Sequence, residues 1–256
     1  MFLDDPKISH LIFFPRTTDP PHDLDTEILK FRINDEIEIG GVLYKKDKDL
    51  PTILLFHGNG EISTDYQNFK EPYFESGVNL AVADFRGYGF STGRPIYSGL
   101  IEDAMPIYTQ FKRWMNEEGY RNSLFVEGRS LGSVCAAEIG AHNPKDLKGV
   151  IFESGFASLY NIITYLFRIK SSEITPETLE PYSNNSRIRK LKKPTLIIHG
   201  TNDWIVPVTE SDLIYEALPE ELDKRLVKIE GATHNDIFYY KNQYFNPLQE
   251  FIEKYS

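Results

Sequence analysis

The chain has 256 residues, 28 Lys plus Arg against 38 Asp plus Glu, a formal net charge of −10 and a single cysteine. Hydrophobic residues make up 41% and charged residues 26%, which excludes a disordered chain, a collagen-like repeat and a disulfide scaffold. The acidic balance argues against nucleic-acid binding, which draws its affinity from basic groups neutralising phosphates, and a lone cysteine cannot form an intramolecular disulfide.

The opening segment, MFLDDPKISHLIFFP, carries two early acids, no basic stretch and too short an apolar run for a signal peptide. No uncharged stretch approaches the roughly 18 residues of a membrane helix, so a cytoplasmic protein with no integral membrane segment is expected. Residues 27–33 and 36–44 alternate apolar with polar around an Asn34-Asp35 turn, the pattern of an antiparallel hairpin at a sheet edge. Short apolar runs follow at 53–56 (ILLF), 79–83 (NLAVA), 124–127 (LFVE), 149–152 (GVIF), 195–198 (TLII) and 225–229 (RLVKI). Most are continuously apolar, as strands covered on both faces of a parallel sheet are. Helical-length segments lie at 99–118, 131–142, 209–218 and 235–255. This alternation predicts an α/β fold: a mostly parallel central sheet, an N-terminal antiparallel hairpin and helices on both faces, as one domain over 1–256.

One segment breaks the rhythm. Residues 157–169 have helical spacing, and 171–186 are polar with two prolines and the pair Asn184-Asn185. So long an excursion predicts a small cap or lid over about 156–193, against the plainer reading of a core helix followed by a loop. The basic run RIRKLKK at 187–193 reads as a solvated loop before a strand.

In open α/β sheets, functional groups gather beyond the carboxyl ends of the strands. There stand His57-Gly58-Asn59-Gly60, Asp84 to Ser91, Gly128-Arg129-Ser130-Leu131-Gly132, Thr201-Asn202-Asp203 and Ala232-Thr233-His234-Asn235-Asp236. Residues 128–132 match the G-x-S-x-G nucleophile elbow, in which a strand turns sharply into a helix and lifts the serine hydroxyl clear of the sheet. A serine hydroxyl needs a base, and that base needs orienting. Asp203 and His234 follow Ser130 in the order used on this fold, so Ser130 is the expected nucleophile, His234 the base and Asp203 its partner. The Asn59 amide, with Gly60 as second choice, joins the Leu131 amide as the expected oxyanion hole. His57 is expected to orient its loop, Asp84 and Arg86 to brace one another, Cys135 to pack in the core and His199 to be a buried structural residue. Asp236 is expected to cap the helix that follows. No histidine cluster has metal-ligand spacing.

Through HGNG, DFRGYGFS, GRSLG, HGTND and ATHND the chain resembles the α/β-hydrolase superfamily, from about Ile28 to the end. Within it the chain is similar to the small α/β-hydrolase-domain esterases and depalmitoylating thioesterases. The resemblance implies ester or thioester hydrolysis with no cofactor, acting on a small-molecule ester or thioester. Two departures stand out: the cysteine-rich N-terminal segment of membrane-bound depalmitoylases is missing, and Gly132-Ser133 replaces the more usual Gly-Gly. Tyr160, Tyr165, Leu166, Phe167 and Trp204 are expected to line an acyl pocket of modest length, although such a stripe is as often plain core. The expected activity is that of a serine hydrolase, a carboxylesterase or acyl thioesterase. A non-catalytic scaffold on the same fold and an acyltransferase are the alternatives, and the oligomeric state is open.

Overall fold

The computed structural model describes residues 2–21, 26–120 and 122–256. Its centre is one eight-stranded sheet in the order β1-β2-β4-β3-β5-β6-β7-β8. The strands are β1 (Thr26–Arg32), β2 (Glu38–Tyr44), β3 (Thr52–Phe56), β4 (Asn79–Ala83), β5 (Leu124–Arg129), β6 (Leu147–Glu153), β7 (Thr195–Gly200) and β8 (Lys224–Ile229). β1 and β2 form the expected antiparallel hairpin, Thr26 facing Tyr44 and Arg32 facing Glu38. Its turn is held by Asn34, whose Oδ1 accepts from the N–H groups of Glu36 and Ile37 at 2.9 Å. β2 runs antiparallel to β4, and all the pairings from β4 to β8 are parallel.

The helices are α1 (Pro6–Ile12), α2 (Lys70–Glu75), α3 (Tyr97–Glu117), α4 (Ser133–His142), α5 (Leu159–Tyr165), α6 (Pro176–Leu179), α7 (Asn185–Ile188), α8 (Thr209–Ala217) and α9 (Lys241–Tyr255). α3, α4 and α8 pack on one face of the sheet, α2 and α9 on the other. β5 shows why its run is apolar throughout: Leu124 and Val126 enter the first core and Phe125 the second, because successive side chains point to opposite faces.

Several elements depart from expectation. The 235–255 segment is a loop, a 3-10 turn at Ile237–Tyr239 and then α9. Of 157–169 only α5 is helical, and 171–186 contains α6 and a further 3-10 turn at Glu180–Tyr182. The basic run is not simply solvated: Arg187 is buried against Glu138, and Ile188 is wholly buried. The opening segment holds a helix that no periodicity announced, α1, with Pro6 in its first turn and the Asp5 side chain accepting from the Lys7 N–H.

The excursion between β6 and β7 is fastened at both ends. Near its start, buried Glu210 of α8 accepts from the N–H groups of Ala157 and Ser158 and from Asn161 Nδ2. Near its end, Asn184 Nδ2 donates to Phe156 O at 2.7 Å and to Ser133 Oγ at 3.0 Å. The serine that departs from the usual Gly-Gly flank therefore ties the excursion to α4.

Candidate active site

Ser130 stands between β5 and α4 at φ +49°, a left-handed conformation that costs a non-glycine residue free energy and concentrates at functional sites. The two flanking glycines are required by crowding. A Cβ on Gly132 would lie 1.9 Å from Phe56 O, and one on Gly128 would lie 2.6 Å from Gly132 O.

The loops after β7 and β8 are laced together. Asn202 N–H donates to Ala232 O at 2.9 Å, and Gly231 N–H donates to Thr201 Oγ1 at 2.9 Å. Gly200 permits this approach, since a Cβ there would meet Ala232 O at 2.3 Å. As a result His234 Nδ1 lies 2.6 Å from Asp203 Oδ2. Asp203 Oδ1 accepts from the N–H groups of Ile205 and Val206. His199, wholly buried, has Nε2 2.9 Å from Val206 O and 3.3 Å from Asp203 Oδ2. Two acceptors around one nitrogen require that it carry the proton. Burial favours protonation of Asp203, but the bonds from His199 and His234 and the charge interaction with His234 prevail, and hold its carboxyl well below the usual range. An ionised Asp203 can only accept, so the His234 nitrogen that faces it, Nδ1, carries a proton.

Ser130, Leu131, His234, Gly58 and Asn59 line a single cavity of about 360 Å³. Gly60 does not line it, and its carbonyl accepts from Arg16 Nη1 at 3.2 Å. The remaining wall is largely apolar: Ile12, Phe14, Tyr97, Phe156, Leu159, Ile162, Ile163, Leu166, Phe167, Ile205 and Val206. Leu166 and Phe167 are thus where the sequence suggested. Trp204, Tyr160 and Tyr165 do not line the cavity, and Trp204 is 77% exposed; its loop turns the indole outward and sends Ile205 and Val206 in.

Two features were not read from the sequence. First, the N-terminal segment forms a wall of the cavity through Ile12 and Phe14. The Asn59 side chain holds it there, accepting from Phe14 N–H at 3.1 Å and donating to Ile12 O at 2.7 Å. The apolar run LIFF at 11–14 was the available signal. Second, buried Arg129 is a hub. Its Nε donates to Glu61 Oε1 at 2.7 Å, Nη1 contacts Glu153 at 2.6 and 2.8 Å, and Nη2 donates to His234 O at 3.0 Å. Glu61 passes the constraint on by accepting from Gly58 N–H at 2.9 Å. Burial works against the Glu61 charge, yet Arg129 brings the carboxyl down to about 2.

The neighbouring residues sort as follows. His57 donates from Nδ1 to Gly58 O at 2.7 Å and so braces its loop. Asp84 does not pair with Arg86: it accepts from Ser63 N–H and Oγ, while Arg86 binds Asp103 of α3. Asp236 makes no cap; its Oδ1 accepts backwards from Thr233 N–H at 2.7 Å. Cys135 is buried, with its thiol pushed well up by burial.

The sheet order and the loop cluster at its carboxyl end define a hydrolase of the α/β-hydrolase superfamily. Comparison with solved structures agrees on the fold: the Pyrococcus furiosus esterase Pf2001 superposes with TM-score 0.73 at 18% identity, covering 94% of this chain and 98% of that one. Est1E from Butyrivibrio proteoclasticus does so with TM-score 0.68 at 18% identity, covering 88% and 99%. The chain belongs to the Hydrolase_4 family, serine aminopeptidase S33, matching it over residues 48–176 and 183–238. It is 27% identical to protein bem46 of Schizosaccharomyces pombe over 90% of this chain and 77% of that protein. It is 26% identical to human alpha/beta hydrolase domain-containing protein 17B over 79% of this chain and 66% of that one. Among the described residues no helix is long and apolar enough to cross a membrane.

Proposed function

We propose that the protein is a serine hydrolase that cleaves carboxylic esters or thioesters of apolar acyl groups, with Ser130 as nucleophile, His234 as general base and acid, and Asp203 as its orienting partner. The observation that carries this reading is the 2.6 Å contact of His234 Nδ1 with Asp203, on a histidine that shares one apolar-walled cavity with Ser130.

In the first step Ser130 Oγ attacks the acyl carbonyl carbon while His234 Nε2 takes the hydroxyl proton. The N–H groups of Asn59 and Leu131 receive the charge developing on the carbonyl oxygen. Collapse of the tetrahedral intermediate breaks the C–O or C–S bond, and His234 returns the proton to the departing alcohol or thiol. Water then attacks the acyl-enzyme, gives its proton to Nε2, and the acid leaves as Ser130 recovers its hydrogen. Asp203 stays ionised throughout and stabilises the imidazolium.

An ester or thioester suits this cavity better than the N-terminus of a peptide. A free α-ammonium needs a carboxylate, and the one carboxylate among the described lining residues, Glu61, is already engaged by Arg129.

The test is intact mass after fluorophosphonate treatment, on the native chain and on Ser130→Ala. One adduct on the native protein and none on the variant is expected, with turnover of p-nitrophenyl esters or acyl thioesters lost in parallel. An adduct that persists in Ser130→Ala, or a native protein inert to both probe and substrates, would overturn the reading.

A further inference from the structure

The turn after β4, residues 84–91, takes no part in the proposed chemistry, yet it and the loop carrying Asn59 grip one stretch of chain between them. Phe14 N–H donates to Asn59 Oδ1 and to the Tyr88 hydroxyl, each at 3.1 Å, and that hydroxyl donates to Asn59 Oδ1 at 2.7 Å. Asn59 Nδ2 donates to Ile12 O at 2.7 Å. Arg16 Nη1 donates to Gly60 O at 3.2 Å, and its guanidinium pairs with Asp65 at 2.7 and 3.2 Å. Gly89 N–H donates to Arg16 O at 2.8 Å. Residues 13–16 belong to no helix or strand, so these bonds set their course beside the cavity.

The Asn59 amide can sit only one way round. Phe14 N–H is a donor and Ile12 O an acceptor, so Oδ1 must face the first and Nδ2 the second. With both ends of the amide committed, the side chain is locked to residues 12–14. The main-chain N–H of this same residue is the proposed oxyanion donor, and Ile12 and Phe14 both line the cavity. One residue therefore joins the wall an acyl chain touches to the group its carbonyl oxygen touches. A chain that seats the wall seats the donor with it. Binding energy gained far from the reacting carbon is then realised in the transition state, where it raises kcat.

Taking Ser130 as the nucleophile and the Asn59 N–H as an oxyanion donor, the reading on which this inference rests, we propose that residues 12–16 form a strap that reads the acyl chain and aligns the oxyanion loop. Phe14 is its specificity-determining residue, and the Asn59 side chain is the positioning residue that couples the two. Arg16 acts at one remove: by holding Gly60 O and Asp65 it keeps the loop against the strap.

Steady-state kinetics on p-nitrophenyl acetate and hexanoate separate this role from a merely structural one. On the native chain the longer ester should have the higher kcat, by about tenfold, and the lower KM. Arg16→Ala, Asn59→Ala and Phe14→Ala should each bring the ratio of the two kcat values back toward one. Arg16 lies in a half-exposed ion pair, so its variant should melt close to the native protein and carries the test if Asn59→Ala does not fold. Equal kcat for the two esters on the native chain, with the difference confined to KM, would overturn the coupling. So would variants that slow both esters by one common factor, which would make these residues a scaffold. Hydrogen exchange reads the same coupling without turnover: an octyl phosphonyl adduct on Ser130 should protect residues 12–16 more than an ethyl adduct does. Equal protection by the two adducts would count against the strap. A native chain that takes no fluorophosphonate sinks the hydrolase reading, whereas one labelled at Ser130 with a kcat ratio of one sinks the strap alone.

Discussion

Arg129 donates to the main-chain oxygen of His234 across 105 positions of sequence. The residue before the proposed nucleophile thus grips the backbone of the proposed base, and through Glu61 it also grips the loop carrying Asn59.

Replacing Arg129 should separate stability from geometry. Arg129→Met leaves the carboxylates of Glu61 and Glu153 without their cation, and breaking a buried pair from one side costs about 3–5 kcal/mol; urea denaturation would measure it. Arg129→Lys keeps the charge, but one ammonium cannot span three partners. That variant should fold and lose roughly 10²-fold in kcat, with a smaller change in KM, since small displacements of reacting groups have effects of that size.

Asp203 should shape stability in acid. Its carboxyl is held well below the usual range in the folded protein, so the unfolded chain takes up a proton first as pH falls. The stabilisation is complete above the unfolded value of about 4 and drains away below it. Asp203→Asn should flatten that acid limb in thermal melts and lower kcat by about 10⁴.

Glu127 should act in the opposite direction. Burial pushes its carboxyl up to about 8, with Glu153 adding to the shift, even though Tyr244 and Tyr73 donate to it. From about pH 4.5, where the unfolded chain loses this proton, to about pH 8, the folded state retains it, so stability declines as pH rises. Glu127→Gln should remove the decline, and the variant should melt higher than the native protein above that window.

Glu210→Ala strips the acceptor from the N–H groups of Ala157 and Ser158 and from Asn161. Unsatisfied buried donors cost about 1–3 kcal/mol. Trypsin should then cut faster at Arg168 and Lys170, as read by mass spectrometry.

Ile163 is wholly buried and lines the cavity. Ile163→Trp should fill the cavity, so that kcat/KM on octanoyl esters falls against acetyl esters. A loss of about tenfold or more is expected, since each excluded methylene is worth roughly 1–3 kcal/mol.

What local pattern carries was legible in the sequence. The hairpin around Asn34, the strands buried on both faces, and the tight turn of residues 128–132 each follow from the period of apolar residues or from glycine where a Cβ has no room. Tertiary structure alone decided the rest. α1 is seven residues long, too short to be stable alone, and is held by Asn59, far along the chain. Arg86 turned to Asp103 instead of Asp84, Trp204 turned out to solvent while Ile205 turned in, and Arg129 reached Glu61, Glu153 and His234 at once. Periodicity and turn chemistry act within a few residues and can be read along the chain. The partner of a long side chain depends on which loops the closed sheet brings within a few ångströms, and that is settled only when the strands have docked.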